Sequence, residues 1–230
     1  MDALIPGLRR RAPVVFLVDV DNTLLDNDAI EADLKRHLER TVGRARQRRY
    51  WAIFERLRRK LGYADYLGAL QSYRDEHPRD SGLLAMSSFL INYPFAKRLY
   101  PDALKVLKHL RRWGTTVILT DGDVVFQPHK IERSGIAKTV DGRVLVYIHK
   151  ERALVDVAHR YPAARYVLID DKLRILAAVK KAWGARVTTV FPRQGHYARD
   201  RRILAAFPPA DISINRIGDL LERKIPIESA

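Results

Sequence analysis

The sequence predicts an α/β protein with a doubly wound, Rossmann-like parallel sheet as its core and an α-helical cap inserted into it. Val14–Val18 is an unbroken apolar run, which indicates a central strand covered on both faces. After Pro101, strand and helix patterns alternate, as in a parallel sheet with helices on both sides. Residues 27–96 carry helical patterns only. We therefore assign 1–26 and 97–230 to the core and 27–96 to the cap.

The cap is predicted to contain four helices, because apolar residues recur there at helical spacing. The four groups are Ile30, Leu34 and Leu38; Trp51, Phe54, Leu57 and Leu61; Tyr66, Leu67, Leu70 and Tyr73; and Leu83, Leu84, Met86, Phe89 and Leu90. Asn27 or Asp28 is the expected N-cap of the first helix. Gly62 is expected to end the second helix.

The core elements are predicted in order along the remaining chain, after a basic lead-in of residues 1–13. They are a helix over Leu104–Trp113, a strand over Thr115–Thr120, a helix over Phe126–Arg133, a hairpin over Thr139–Ile148, a helix over Lys150–Tyr161, a strand over Tyr166–Ile169, a helix over Leu173–Trp183, a strand over Val187–Phe191, a short strand at Ile212 and Ile214, and a short helix over Ile217–Leu221. The hairpin prediction depends on Asp141-Gly142, a frequent turn dipeptide.

Composition limits the class of protein and its partners. The hydrophobic content of 47% is that of a globular protein. The chain has no cysteine, which excludes disulfides and thiolate metal sites and fits a reducing compartment. The formal net charge of +15 attracts anions such as phosphorylated metabolites, nucleic acids or acidic membranes.

No apolar run is long enough to span a membrane, so we expect no membrane association of that kind. Arg9, Arg10 and Arg11 precede an apolar stretch, as in a signal peptide, but Asp19 and Asp21 interrupt that stretch too soon. A cytoplasmic protein is therefore the expectation.

Two carboxylates, Asp19 and Asp21, follow the first predicted strand. They would point to the same side of an extended chain, at the edge where open α/β sheets bind ligands. Like charges this close raise one pKa unless a cation intervenes. A divalent metal would keep Asp19 ionised as ligand and nucleophile, while Asp21 could carry a proton as general acid/base. The alternative is an ordinary turn that includes Asn22 and Thr23.

Thr120 ends the second predicted core strand and is followed by Asp121, Gly122 and Asp123. The threonine hydroxyl, with backbone N–H groups freed by the glycine, could hold a phosphate oxygen. The same residues also form a common turn. Asp121 and Asp123 add negative charge where an anion would bind, so they either point away from it or contact a hydroxyl or amine of the leaving group.

Lys150 opens a predicted helix, where a cation is mismatched with the helix dipole, so we expect an anion nearby. Glu151 could be that anion. Asp170 and Asp171 end a later strand and offer the hard oxygen ligands that suit Mg²⁺. The alternative is a turn in which Asp171 caps the next helix. Lys172 could contact phosphate or solvent.

The segment Asp19-Val20-Asp21-Asn22-Thr23-Leu24-Leu25 resembles the first motif of the haloacid dehalogenase-like (HAD) hydrolase superfamily, in which Asp-x-Asp-x-Thr-Leu follows a hydrophobic strand. Thr120, Lys150 and the pair Asp170-Asp171 follow in the order of the remaining three motifs. The resemblance covers the whole chain, including a cap between the first and second motifs.

The resemblance implies a Mg²⁺-dependent phosphatase that hydrolyses a phosphate monoester through an aspartyl-phosphate on Asp19. Asp21 would protonate the leaving oxygen and then activate water. The implied substrate-binding residues are Thr120, Lys150, Asp121 and Gly122. The implied metal ligands are Asp19, Asp21 through its backbone carbonyl, Asp170 and, directly or through water, Asp171.

Other functions remain open at this stage. Dehalogenases of the superfamily generally lack the second acid, so Asp21 favours phosphoryl transfer, whereas a phosphomutase would differ only in the acceptor. The rival from another class is a basic nucleic-acid-binding protein on a catalytically retired scaffold, suggested by the net charge and by the Lys/Arg-rich segment 35–60.

We favour a solvated helix face for the segment 35–60 over a guide for an acidic partner. A phosphorylated small molecule is the expected substrate, and nucleic acid is a less favoured partner. His196, in the loop after the strand Val187–Phe191, is expected to be an ordinary surface histidine.

Overall fold

The computed structural model describes residues 12–223, 225 and 226. The strands are β1 (Ala12–Val18), β2 (Thr115–Asp121), β3 (Val144–Tyr147), β4 (Ala163–Ile169), β5 (Val187–Pro192) and β6 (Ile212–Ile214). They form one six-stranded sheet in the order β3-β2-β1-β4-β5-β6, and each neighbouring pair is parallel. The predicted doubly wound parallel sheet is confirmed. The first eleven residues of the expected basic lead-in lie outside the described residues, and β1 begins within its last two.

Helices connect the strands and flank the sheet. They are α1 (Asn27–Val42), α2 (Arg44–Leu61), α3 (Tyr66–Glu76), α4 (Leu83–Asn92), α5 (Ala103–Leu110), α6 (Phe126–Arg133), α7 (Ile136–Thr139), α8 (Leu154–Arg160), α9 (Leu173–Trp183) and α10 (Arg201–Ala206). Short 3₁₀ turns occupy 95–98, 150–152, 184–186, 197–199 and 217–221.

β1 lies at the centre of the sheet, between β2 and β4. Its side chains alternate between two apolar cores, so that Phe16 and Val18 enter one core while Val15 and Leu17 enter the other. Both faces of the strand are therefore buried, which explains why its sequence is apolar without alternation.

Helices α1 to α4 form a helical insertion between β1 and α5, with a third apolar cluster of its own. Tyr50 and Phe54 of α2 are fully buried in this cluster. The basic side chains of α2 lie on its outer face, where Arg46 pairs with Asp80 at 3.1 Å and Arg49 Nη2 donates to Glu76 at 2.7 Å. These pairings favour the solvated-face interpretation of the Lys/Arg-rich segment.

The two chain crossings between the core and the helical insertion run side by side. Leu25 and Leu99 form an antiparallel bridge, and the Asp26 amide donates to the Arg98 carbonyl at 2.8 Å. The Tyr100 amide donates to the Leu24 carbonyl, also at 2.8 Å. The insertion is thus joined to the sheet through a short antiparallel junction.

The predicted hairpin over Thr139–Ile148 is wrong. Its first part is the end of the short helix α7, and Val144–Tyr147 is β3, which pairs in parallel with β2. Asp141 and Gly142 have φ values of 51° and 71°, so the dipeptide does adopt a left-handed turn. That turn ends a helix, because the Gly142 amide donates to the Ala137 carbonyl at 2.9 Å.

Two helix starts also differ from expectation. Asp26, rather than Asn27 or Asp28, caps α1 by accepting a hydrogen bond from the Ala29 amide at 2.9 Å. Lys150 opens a 3₁₀ turn that precedes α8. Within the described residues no helix is long and apolar enough to cross a bilayer.

Phe16→Ala is expected to lower the free energy of unfolding by about 3–5 kcal/mol, because Phe16 is fully buried in the central strand. The measurement is urea unfolding followed by circular dichroism. Leu84→Ala is the control, because Leu84 is 78% exposed, and it should change the value by no more than about 0.5 kcal/mol. Equal losses in both variants would contradict this account of the core.

Candidate active site

Three buried carboxylates meet at the carboxyl edge of the sheet. Val18 of β1 pairs with Ile169 of β4, so Asp19 and Asp170 leave neighbouring strands at the same level. The Asp19 amide donates to the Ile169 carbonyl at 2.9 Å, which fixes the backbone there. Carboxylate oxygens of Asp19, Asp170 and Asp171 lie within 4.8 Å of one another. The fold therefore brings the first and last acidic motifs into one cluster.

Lys150 is fully buried against this cluster. Its ammonium donates to Asp19 Oδ1 at 2.5 Å and to the Leu119 carbonyl at 3.2 Å. It also lies 2.6 Å from Asp170 Oδ2, a charge contact without hydrogen-bond geometry. Burial disfavours the ammonium, but the carboxylates of Asp170 and Asp19 outweigh burial and raise the pKa of Lys150. The lysine is therefore held in its charged form.

Asp171 is buried, and neither of its carboxylate oxygens has a hydrogen-bond donor. Burial raises the pKa of Asp171 well above its usual value, and repulsion from Asp170 and Asp19 adds to this effect. Burial also raises the pKa of Asp170 to about 6, against the attraction of Lys150. Because buried carboxylates are normally paired or bound to metal, this donor set fits a hard divalent cation.

Asp21 does not join the cluster through its side chain. Its Oδ1 accepts a hydrogen bond from Lys130 Nζ at 2.5 Å. Lys130 lies on α6 and is buried, whereas the side chain of Asp21 remains 24% accessible to solvent. The two carboxylates of the first motif thus have different environments, and only Asp19 lies within the acidic cluster.

Thr120 lies beside the cluster at the end of β2, and its Oγ1 accepts a hydrogen bond from Gln127 Nε2 at 2.8 Å. Its hydroxyl hydrogen is left to bond an anion, apart from a long 3.4 Å contact with the Asp121 carbonyl. The Gly122 amide, which we expected to be free for a phosphate oxygen, donates to the Tyr147 carbonyl at 2.9 Å. That part of the expected phosphate site is therefore corrected.

The two extra acids after Thr120 are both bonded to backbone amides. Asp121 Oδ1 accepts from the Lys150 amide at 2.8 Å, and burial raises its pKa. Asp123 Oδ1 accepts from the amides of Val125 and Phe126 at 2.9 and 2.6 Å, at the start of α6. Neither carboxylate is therefore directed at a phosphate bound by Thr120.

The loop after β1 is held in place by the loop that follows β5. Asn22 has a φ of 56°, and its Oδ1 accepts from the amides of Asn27 and Asp28 at 3.0 and 3.2 Å. Gln194 Nε2 donates to the Thr23 carbonyl at 3.1 Å. At Gly195, a Cβ atom would come within 2.6 Å of the Asn22 side chain, so this close approach requires glycine.

Lys172 and His196 lie at the rim of the site. Burial disfavours the Lys172 ammonium, but Asp171 and Asp19 outweigh it and raise its pKa, and its Nζ lies 5.7 Å from the centre of the Tyr197 ring. His196 is half exposed, and its Nδ1 lies 2.7 Å from Asp28 Oδ1. This ion-pair geometry links the core to the first turn of α1.

Sequence reasoning missed Lys130 and Gln127. The sequence did contain a signal for both residues: their spacing places them on the same face of α6 as Phe126 and Ile131, and that face is buried. A lysine on an apolar helix face predicts a buried ion pair, but the partner can be named only once the fold is known.

The parallel sheet and the buried acidic cluster at its carboxyl edge define a Rossmann-like α/β protein with a candidate ligand site at that edge. Residues 14–182 match the family model described as haloacid dehalogenase-like hydrolase. The chain belongs to this family.

Solved structures agree with this assignment. A haloacid dehalogenase-like hydrolase from Burkholderia xenovorans LB400 is 64% identical, with a TM-score of 0.88 over 93% of this chain and 99% of that one. A HAD hydrolase from Bacillus subtilis bound to magnesium is 17% identical, with a TM-score of 0.59 over 93% and 98%. An L-2-haloacid dehalogenase from Xanthobacter autotrophicus with covalently bound chloropropionic acid is 16% identical, with a TM-score of 0.60 over 90% and 96%. The latter two share the fold. No match was found among curated proteins.

The raised pKa values of the acidic cluster predict a pH dependence of stability. A carboxyl whose pKa is higher in the folded state stabilises the fold below its unfolded pKa of about 4, and this contribution is lost as pH rises through the folded value. For Asp170 the folded value is about 6, and Asp171 shifts in the same direction. Asp171→Asn should therefore stabilise the metal-free protein relative to wild type, and the gain should grow between about pH 5 and about pH 8.

The measurement is urea unfolding of both proteins in the presence of a chelator at the two pH values. Asp75→Asn is the matched control, because the side chain of Asp75 is 75% exposed. If Asp171→Asn raises the free energy of unfolding by the same amount at both pH values, the raised pKa values cannot be assigned to the acidic cluster.

Proposed function

We propose that the protein is a Mg²⁺-dependent phosphatase that hydrolyses a phosphate monoester through an aspartyl-phosphate on Asp19. The observation that carries this proposal is the pair of buried Asp171 oxygens without hydrogen-bond donors, next to Asp19 and Asp170. A dianionic phosphoryl group can approach such a cluster only if a cation offsets its charge.

Formal charge around the nucleophile supports one divalent ion. The carboxylates are those of Asp19, Asp21, Asp121, Asp170 and Asp171, and the ammonium groups are those of Lys130, Lys150 and Lys172. With Asp21 protonated as the general acid, the other four carboxylates exceed the three ammonium groups by one negative charge, and a phosphoryl dianion would raise this excess to three, which a divalent cation would lower to one. Asp19, Asp170 and Asp171 would hold the ion, which when bound would act as a Lewis acid on a phosphate oxygen and orient the substrate.

The residues of the chain divide the chemistry between them. Asp19 attacks phosphorus, and the bond from phosphorus to the leaving oxygen breaks as the bond to Asp19 forms. Asp21 gives its proton to the leaving oxygen, so the alcohol departs neutral. Lys150 and the Thr120 hydroxyl bind the phosphoryl oxygens as charge moves onto them.

The second step regenerates the enzyme. The Asp21 carboxylate takes a proton from water as the water oxygen attacks phosphorus, and the bond to Asp19 breaks. Inorganic phosphate leaves, and Asp19 and Asp21 return to their starting states. The helical insertion would act as a cap that excludes bulk water and selects the leaving group.

Asp19→Asn is expected to lower phosphate release by at least about a thousandfold, because an amide cannot act as the nucleophile. The measurement is release of inorganic phosphate from p-nitrophenyl phosphate and a panel of phosphorylated metabolites with Mg²⁺. Asp75→Asn is the control and should keep wild-type activity. Wild-type release of halide from 2-haloacids, without release of phosphate, would instead favour a dehalogenase.

Mg²⁺ is expected to raise the melting temperature of the wild-type protein, since an ion that binds only the folded state stabilises it. Asp171→Asn should lose most of this increase because it removes a metal-binding carboxylate. The measurement is thermal unfolding with and without Mg²⁺, with Asp75→Asn as the control. An equal increase in all three proteins would contradict the assigned ligands.

A further inference from the structure

A buried polar chain connects Asp21 with the helical insertion. Lys130 is 1% exposed, and its Nζ donates to Asp21 Oδ1 at 2.5 Å and lies 3.5 Å from Asn27 Oδ1. Asn27 Nδ2 in turn lies 3.5 Å from Glu31 Oε1, which accepts a hydrogen bond from the Tyr66 hydroxyl at 3.2 Å. The chain thus runs from the loop after β1, through α6 of the core, to α1 and α3 of the insertion.

Packing alone does not account for a lysine at this position. Its neighbours on the buried face of α6 include Phe126, whose ring centroid is 5.2 Å from that of Tyr66. Apolar residues share this helix face, and replacing both partners of a buried ion pair with apolar residues is often neutral or stabilising. What the ammonium adds is a directed bond to one oxygen of Asp21.

We propose that Lys130 is a positioning residue for the reaction, which fixes the carboxyl of Asp21 and is itself held by groups of the helical insertion. This inference rests on the proposed phosphatase function. Because Lys130 occupies Oδ1 of Asp21, the proton is exchanged through Oδ2. Because Asn27 lies in the first turn of α1, the position of Lys130 depends on how the insertion is docked.

The two half-reactions respond differently to loss of the bond from Lys130 to Asp21. Proton donation by Asp21 matters for a poor leaving group such as an alkyl alcohol, whereas p-nitrophenolate leaves without a proton. Hydrolysis of the aspartyl-phosphate needs Asp21 as base whatever the first leaving group was. A misplaced Asp21 therefore slows both steps for an alkyl phosphate and only the second step for p-nitrophenyl phosphate.

The test compares wild type with Lys130→Met and with the control Lys138→Met, the same change at an exposed lysine on α7. With glycerol 2-phosphate, Lys130→Met should lower kcat about ten- to a hundredfold, with KM changed less than about threefold. With p-nitrophenyl phosphate, rapid mixing should show a burst of one p-nitrophenolate per enzyme followed by slow turnover. Lys138→Met should match wild type in both assays.

A purely structural role would lower the burst amplitude and the turnover together, as the folded fraction falls, and this result would overturn the proposal. Kinetics like those of Lys138→Met would overturn it as well. If circular dichroism shows that Lys130→Met does not fold, Lys130→Gln replaces the ammonium with a neutral amide on a side chain one atom shorter, which cannot form the same ion pair with Asp21, and it is judged by the same burst. Wild-type protein that releases no phosphate from either ester would instead refute the phosphatase function itself.

Discussion

The ammonium of Lys150, enclosed between the carboxylates of Asp19 and Asp170, is the interaction on which the site depends. Three charges removed from water are tolerated only when they face one another, and loss of one partner from such a group costs about 3–5 kcal/mol. The group forms only if β1 and β4 are neighbours in register and residue 150 returns to the same edge after β3. The sheet topology and the electrostatics of the site therefore specify each other.

Much of the fold follows from local sequence. The unbroken apolar run of β1 requires two covered faces, and the structure supplies them as separate cores that receive alternate side chains. Helical spacing located α2 and α9: α2 ends at Gly62 as expected, and α9 covers the predicted range Leu173–Trp183, with Gly184 as its C-cap. These features depend on residues close together in the sequence, so the sequence pattern is sufficient to predict them.

Features set by tertiary contacts could not be predicted in this way. Asp141-Gly142 has the same left-handed geometry at the end of a helix as in a hairpin, so the local pattern does not identify the partner strand of Val144–Tyr147. The ion pair of Lys130 with Asp21 joins residues 109 positions apart. The pattern of α6 marks Lys130 as buried, but only the packing of α6 against the loop after β1 shows which acid it meets.

The antiparallel junction at Leu25 and Leu99 has a consequence for how such proteins diversify. Because the chain leaves and re-enters the sheet at adjacent points, the helices beyond the first turn of α1 lie outside the strand order and register of the sheet. The first turn of α1, in contrast, is tied to the site, because Asn27 contacts Lys130, which bonds to Asp21. Variation in the insertion is therefore compatible with a constant sheet only where these contacts of its first helical turn are kept.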